Sequence, residues 1–111
     1  MLNKIGYFQL DNLITNRVPF MFYNMGPSLS PWYQSVSRMH VENHEQTLDA
    51  EAIEGDLMRK KVPQDYAIIL LCPDGQISDK LAQKLVQAAY TNVYVVDGGY
   101  QQMMTEREQG W

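Results

Sequence analysis

Cysteine is nearly absent from this 111-residue chain, which carries a single one, Cys72. That excludes an intramolecular disulfide framework and any multi-cysteine zinc or iron–sulfur site. Basic charge is also short. Nine lysines and arginines stand against thirteen aspartates and glutamates, for a net charge of -4 and a pI near 5.0. A phosphate-binding face needs the opposite balance, so neither nucleic acid nor an anionic membrane surface is an expected partner. Long apolar runs are missing too. Val18 to Ser37 is uncharged, but Pro19, Asn24, Gly26, Pro27, Pro31 and Gln34 interrupt it, and no such segment makes an apolar spanning helix. Met1 to Asp11 lacks the apolar core and small-residue cleavage site of a signal peptide. The expected setting is the cytoplasm.

What is present describes a packed domain. Apolar residues make up 45% of the chain and aromatics 11%, enough for one core and too short a chain for two, so a single domain is expected over residues 1–111. Val18 to Tyr23 is a short apolar, aromatic run that reads as a buried strand, preceded by one or two helical turns around Leu10, Leu13 and Ile14. Gly26 to Pro31 reads as loop, and Ser37 to Val41 as a second short strand. After Thr47 an amphipathic helix puts Ala50, Ile53 and Leu57 on one face, with acids early and Arg59, Lys60 and Lys61 late, complementing the helix dipole. Ala67 to Leu71 is apolar without alternation, the pattern of a central parallel strand covered on both faces. A second helix follows with Ser78 as its N-cap and Leu81, Leu85, Ala88 and Ala89 inward. Asn92 to Val96 is another buried strand ending in Asp97, Gly98 and Gly99, and Tyr100 to Glu108 is helix-prone with Met103 and Met104 packing. Strand and helix alternate over short connections. The expected fold is α/β, a three-layer α/β/α domain with a mainly parallel central sheet.

Cys72 ends the unbroken apolar strand, six residues before the expected helix. Ligands on open α/β sheets collect at the carboxyl ends of strands. Converging loop amides and a helix N-terminus there favour anions, a thiolate included. Gly75 lets the loop curl. The competing reading is a small buried residue that merely finishes a strand.

The stretch Cys72-Pro-Asp-Gly75-Gln-Ile-Ser78, then a helix, then Asn92 to Val96 with Asp97-Gly-Gly-Tyr100, resembles the C-terminal half of a single-domain rhodanese. In that family an apolar strand leads into a Cys-x-x-Gly-x-Arg-Ser loop, and a later strand ends in an acid and Gly-Gly-aromatic. The resemblance covers roughly Ala67 to Met104. Val18 to Asn24 looks like the family's first core strand, and Val36 to Val41 falls where its His-Ile-Pro-Gly-Ala stretch lies. It implies sulfur transfer: Cys72 as the nucleophile that accepts a sulfane sulfur as a persulfide and passes it to a thiophilic acceptor. The substrate-binding loop would be Asp74, Gly75, Gln76, Ile77 and Ser78, its amides holding the anionic sulfur. Donor and acceptor, small molecules or proteins, are the implied partners; no cofactor and no metal are implied. The chain departs from the pattern at several points. Ile77 stands where many members have arginine, Pro73 has no N–H, and Asp74 adds a negative charge. The family's Asp-x-Arg is here Asn24, Met25 and Gly26. These changes point away from thiosulfate and towards a protein persulfide or a small organic donor. The alternative is a binding or regulatory module of weak activity, with Cys72 a residual or redox-sensing thiol. Phosphatase chemistry, known in a branch with a longer arginine-bearing loop, is not expected, because nothing between Cys72 and Lys80 can clamp a phosphate.

Four further features have structural and functional readings. His40 and His44 are spaced i,i+4 near Glu42 and Glu45, but the order is not His-Glu-x-x-His, and a solvated acidic connection is preferred over a metal site. Glu42 to Asp56 contains six carboxylates and no lysine or arginine, which reads as a solvated face or a contact for a basic protein. Asp97 is expected to bond the amides of the Gly-Gly turn rather than to act in catalysis. Trp32 and Tyr33 are expected to pack over the core, with a pocket or a homodimer contact as alternatives.

Overall fold

The computed structural model describes residues 3–109. In chain order the elements are β1 (Asn3–Ile5), α1 (Tyr7–Thr15), β2 (Met21–Asn24), a short 3-10 turn (Ser30–Trp32), α2 (Ser35–His44) and β3 (Glu45–Gln46). Then come α3 (Ala50–Arg59), β4 (Ile68–Leu71), α4 (Gln76–Gln87), β5 (Val93–Val96) and α5 (Gly99–Gln109). The strands form one sheet in the order β1-β5-β4-β2-β3, and every pairing is parallel. The expected three-layer α/β domain is therefore what forms.

The central strand shows why its sequence does not alternate. Ile69 and Leu71 of β4 join Leu10 and Ile14 of α1, Val41 of α2 and Met103 of α5 on one face. Ile68 and Leu70 join Ile53 and Leu57 of α3 and Leu81, Ala82 and Leu85 of α4 on the other. All four β4 side chains are fully enclosed, so both parities of the strand must be apolar. Crossovers through helices on both faces bring the carboxyl ends of β2, β4 and β5 together, and Cys72 follows β4 at that edge.

Several sequence expectations are corrected. Ser37 to Val41 is not a strand but the middle of α2. His40 faces inward while Val36 and Met39 are 51% and 60% exposed, so these buried and exposed positions carry reversed polarity and hide the helical period. The second helix starts earlier than expected: α4 begins at Gln76 with Gly75, not Ser78, at its N-cap. It also ends at Gln87, leaving Ala89 exposed at φ +75°. The helix after Thr47 starts at Ala50, with Asp49 preceding it. In α5, Met103 is buried and Met104 is 42% exposed. Strand β1 is not expected from the sequence, because three residues with one buried side chain leave no periodic signal.

The acidic stretch is only partly a solvated face. Asp56 is buried and accepts the Tyr23 hydroxyl at 2.7 Å, with Lys60 Nζ at 3.0 Å and Arg59 also on its carboxylate. Tyr33 packs as expected, donating its hydroxyl to Asp11 at 2.8 Å. Trp32 lies between Tyr7 and Tyr100 with the Arg107 guanidinium 4.7 Å from its ring. His40 Nε2 meets the Val18 carbonyl at 3.2 Å, and His44 Nδ1 meets the His40 carbonyl at 2.9 Å near the end of α2. Among the described residues, no group of three or more histidine, cysteine or acidic side chains is assembled as for a metal ion. No helix among them is long and apolar enough to cross a membrane.

Candidate functional site

The chain leaves β4 at Leu71 and must turn at once into α4. Gly75 makes that turn in the left-handed region, at φ +91°, which costs glycine little. The turn folds the loop back over Cys72. The Gly75 N–H donates to Cys72 Sγ at 3.1 Å and the Ser78 N–H donates to it at 3.4 Å. Both amides belong to the start of α4, where the first N–H groups lack partners inside the helix. The sulfur thus takes the place of a helix-capping acceptor and sits in positive potential.

A second helix terminus holds the other side of the loop. The Tyr100 N–H donates to the Cys72 carbonyl at 2.8 Å, and the Gln101 N–H to the Pro73 carbonyl at 3.0 Å. These are otherwise unpartnered donors of α5. Such an approach leaves no room for a side chain. A Cβ on Gly99 would lie 2.3 Å from the Cys72 carbonyl oxygen and 2.6 Å from the Gly75 nitrogen. Gly98 and Gly99 also have φ near +70°, at +73° and +69°. The Gly-Gly pair therefore serves to dock the start of α5 against the cysteine loop. Asp97 does not bond that turn as expected. Its carboxylate faces Lys4 at 3.9 Å, and Lys4 also lies 3.7 Å from Asp79.

The other loop residues separate into inward and outward sets. Ser78 is fully enclosed, and its hydroxyl is the one buried side-chain polar atom without a hydrogen-bond partner among the described residues. Asp74 is exposed and turns its carboxylate onto the Gln76 N–H at 3.0 Å. Gln76 is exposed, and Ile77 projects outward at 48% exposure. Cys72 itself is fully enclosed.

The neighbouring wall depends on a residue that the sequence pattern places in an acidic connection. Glu45, on β3, accepts hydrogen bonds from Asn24 Nδ2 at 2.9 Å, Ser28 Oγ at 2.5 Å and the Leu29 N–H at 2.9 Å. Asn24 also accepts the Gly26 N–H at 2.8 Å and donates to the Pro27 carbonyl at 2.7 Å. The turn after β2 is thereby fixed beside the cysteine loop, with the Met25 N–H on the Leu71 carbonyl at 2.7 Å. Glu45 thus brings a carboxylate directly against Asn24. No sequence spacing links the two, since β3 pairs with β2 only in the folded sheet.

A five-stranded parallel sheet with a cysteine at the carboxyl edge of its central strand, held by amides of the following helix, defines the class as an open parallel α/β domain. A family model, the rhodanese-like domain, matches residues 34–106, and the chain belongs to that family. Solved structures agree on the fold. The rhodanese-like domain protein from Staphylococcus aureus is similar at 14% identity and TM-score 0.63, over 92% of this chain and 91% of that one. A thiosulfate sulfurtransferase from Pseudomonas aeruginosa is similar at 15% identity and TM-score 0.67, over 98% of this chain and 19% of its own length. Reduced CoADR-RHD from Bacillus anthracis is similar at 17% identity and TM-score 0.65, over 97% of this chain and 17% of its own. The chain thus spans under a fifth of the last two proteins and nearly all of the staphylococcal one.

Proposed function

We propose that this domain carries sulfane sulfur on Cys72, as a sulfurtransferase or sulfur carrier. The observation that supports it most directly is the pairing of two N–H groups on Sγ with the buried, unpartnered hydroxyl of Ser78 in the same loop. A lone buried hydroxyl is costly unless something bonds it. An anionic outer sulfur on Cys72 would supply an acceptor for it. In the transfer, the Cys72 thiolate attacks the outer sulfur of a donor persulfide, R–S–SH. A new S–S bond forms, the old one breaks, and its electron pair leaves with R–S⁻. An acceptor thiolate then takes the outer sulfur, and the Cys72 thiolate is the leaving group. No net oxidation occurs, and the loop amides hold negative charge at each stage.

One observation favours a second reading, a binding or regulatory module with a protected thiol. Sγ is fully enclosed, so a donor reaches it only when the loop opens. Intact mass after incubation with cysteine persulfide, and separately with thiosulfate, decides between the two. The carrier gains one sulfur, reversed by cyanide or excess thiol and absent in Cys72→Ser. A native protein that takes sulfur from neither donor, and whose thiol alkylates only on unfolding, is the protected module.

A further inference from the structure

Ile77 meets solvent as an apolar side chain of the loop, 48% exposed, and it lines two adjoining surface depressions. The nearer one, of about 420 Å³, is lined by Met25, Asp49, Ala50, Glu51 and Ile77. The second, of about 270 Å³, shares Ala50, Glu51 and Ile77 and runs on to Lys80, Leu81 and Lys84. Together they make one groove between the starts of α3 and α4, floored by Met25, Ala50, Ile77 and Leu81. Met25 belongs to the turn held on the Leu71 carbonyl, next to Cys72. The groove therefore begins at the cysteine loop.

Its charge is uneven. The charged residues lining the near depression are Asp49 and Glu51, and the exposed Asp74 carboxylate stands on the loop beside it. Basic side chains enter only at the far end, where Lys84 is held by Glu54 at 3.4 Å. A dianion such as thiosulfate would face carboxylates with no cation on the near wall. A small thiol would leave most of the floor uncovered. A chain segment with an apolar side chain for Ile77 and Met25, flanked by lysine or arginine for Asp49 and Glu51, fits both the apolar lining and the charge.

We infer that this groove docks a basic peptide segment of a partner protein that carries the donor cysteine persulfide, with Asp49 and Glu51 selecting its charge and Ile77 its apolar side chain. This rests on the sulfur-carrier reading of Cys72.

The test uses the full chain and two synthetic peptide persulfides, each with leucine beside the modified cysteine and flanked by either two lysines or two glutamates. Free cysteine persulfide is the third donor. Sulfur arrival on Cys72 is timed by intact mass. The lysine peptide is expected to deliver sulfur about tenfold faster than the glutamate peptide, the ratio falling as salt is raised. In Asp49→Asn/Glu51→Gln, which keeps a good N-cap residue at position 49, the ratio is expected to drop to within about threefold. Replacing the peptide leucine with serine slows delivery by the lysine peptide. Equal rates from the two peptides in the wild-type protein overturn the inference while leaving sulfur carriage intact if cysteine persulfide still loads Cys72. A preference unaffected by salt overturns it as well, whether or not the double variant folds. No sulfur from any donor removes the carrier reading and the docking inference together.

Discussion

Gly99 shows how much of the site depends on a missing side chain. Its φ of +69° disfavours other residues, and a Cβ there would collide with backbone atoms of Cys72, Asp74 and Gly75. Backbone cannot move aside as a flexible side chain can. Gly99→Ala should cost about 3 kcal/mol of stability in urea unfolding. It should also loosen the cysteine loop, so that thiol reagents reach Cys72 faster in the native protein. Wild-type stability together with an unchanged alkylation rate would show that the loop is not held by α5. The role of Gly98 and Gly99 was legible in the sequence as a turn after β5. Their docking role was not, because the atoms that exclude a Cβ come from residues more than twenty positions earlier.

At the scale of elements, α3 is tied to the sheet by more than its apolar face. Ile53 and Leu57 pack into the core while Asp56, also buried, takes the hydroxyl of Tyr23 from β2. Burial by itself would push the Asp56 carboxyl up, but the hydrogen bonds from Tyr23 and Lys60 and the charges of Lys60 and Arg59 outweigh it and hold it below its ordinary value. Arg59 and Lys60 remain largely in water, with side chains 72% and 41% exposed. Removing the carboxylate therefore chiefly strands a buried phenol. Asp56→Ala should cost about 2 kcal/mol, and Tyr23→Phe, which removes the stranded group, about 1 kcal/mol or less. Paired urea titrations check the order, and Tyr23→Phe being the costlier of the two would contradict it. The i,i+3 and i,i+4 spacing of Asp56 to Arg59 and Lys60 was visible in the sequence. That Asp56 shares the buried stripe with Ile53 and Leu57 was also readable from period alone, yet a carboxylate there reads as exposed until a partner is known.

For the whole molecule, buried titratable groups set a stability plateau with two edges. His40 is held below its ordinary value of 6.5 by burial and by the charge of His44, against its hydrogen bond to Val18. The unfolded chain then binds the extra proton first, so stability declines as the pH falls below 6.5. Asp56, depressed below 3.8, adds stability that is full above 3.8 and lost as the pH falls through its lower folded value. Tyr23 and Tyr33 are both raised above 10.0 by burial first and then by Asp56 and Asp11 respectively. They keep their protons when the unfolded chain loses them, so stability declines above pH 10.0. The urea midpoint measured from about pH 3 to about pH 11 should be highest between these edges. His40→Phe should flatten the first step of the acid side. A midpoint that rises steadily towards acid would contradict the assignment.

The sequence by itself determined the layers and the place of the thiol. An unbroken apolar strand demands cover on both faces, a helix-period stripe supplies it, and a cysteine between such a strand and such a helix must lie at the sheet's carboxyl edge. Those are local patterns, and the chain records them locally. Only the tertiary structure decided what surrounds the thiol: that α5 lends its first amides to the loop, that Glu45 fixes the neighbouring turn through Asn24, and that Ile77 opens onto a groove with Asp49 and Glu51. Each of these joins residues distant in the chain through parallel crossovers. Contacts of that kind depend on which strands become neighbours, and no spacing within a single segment encodes them.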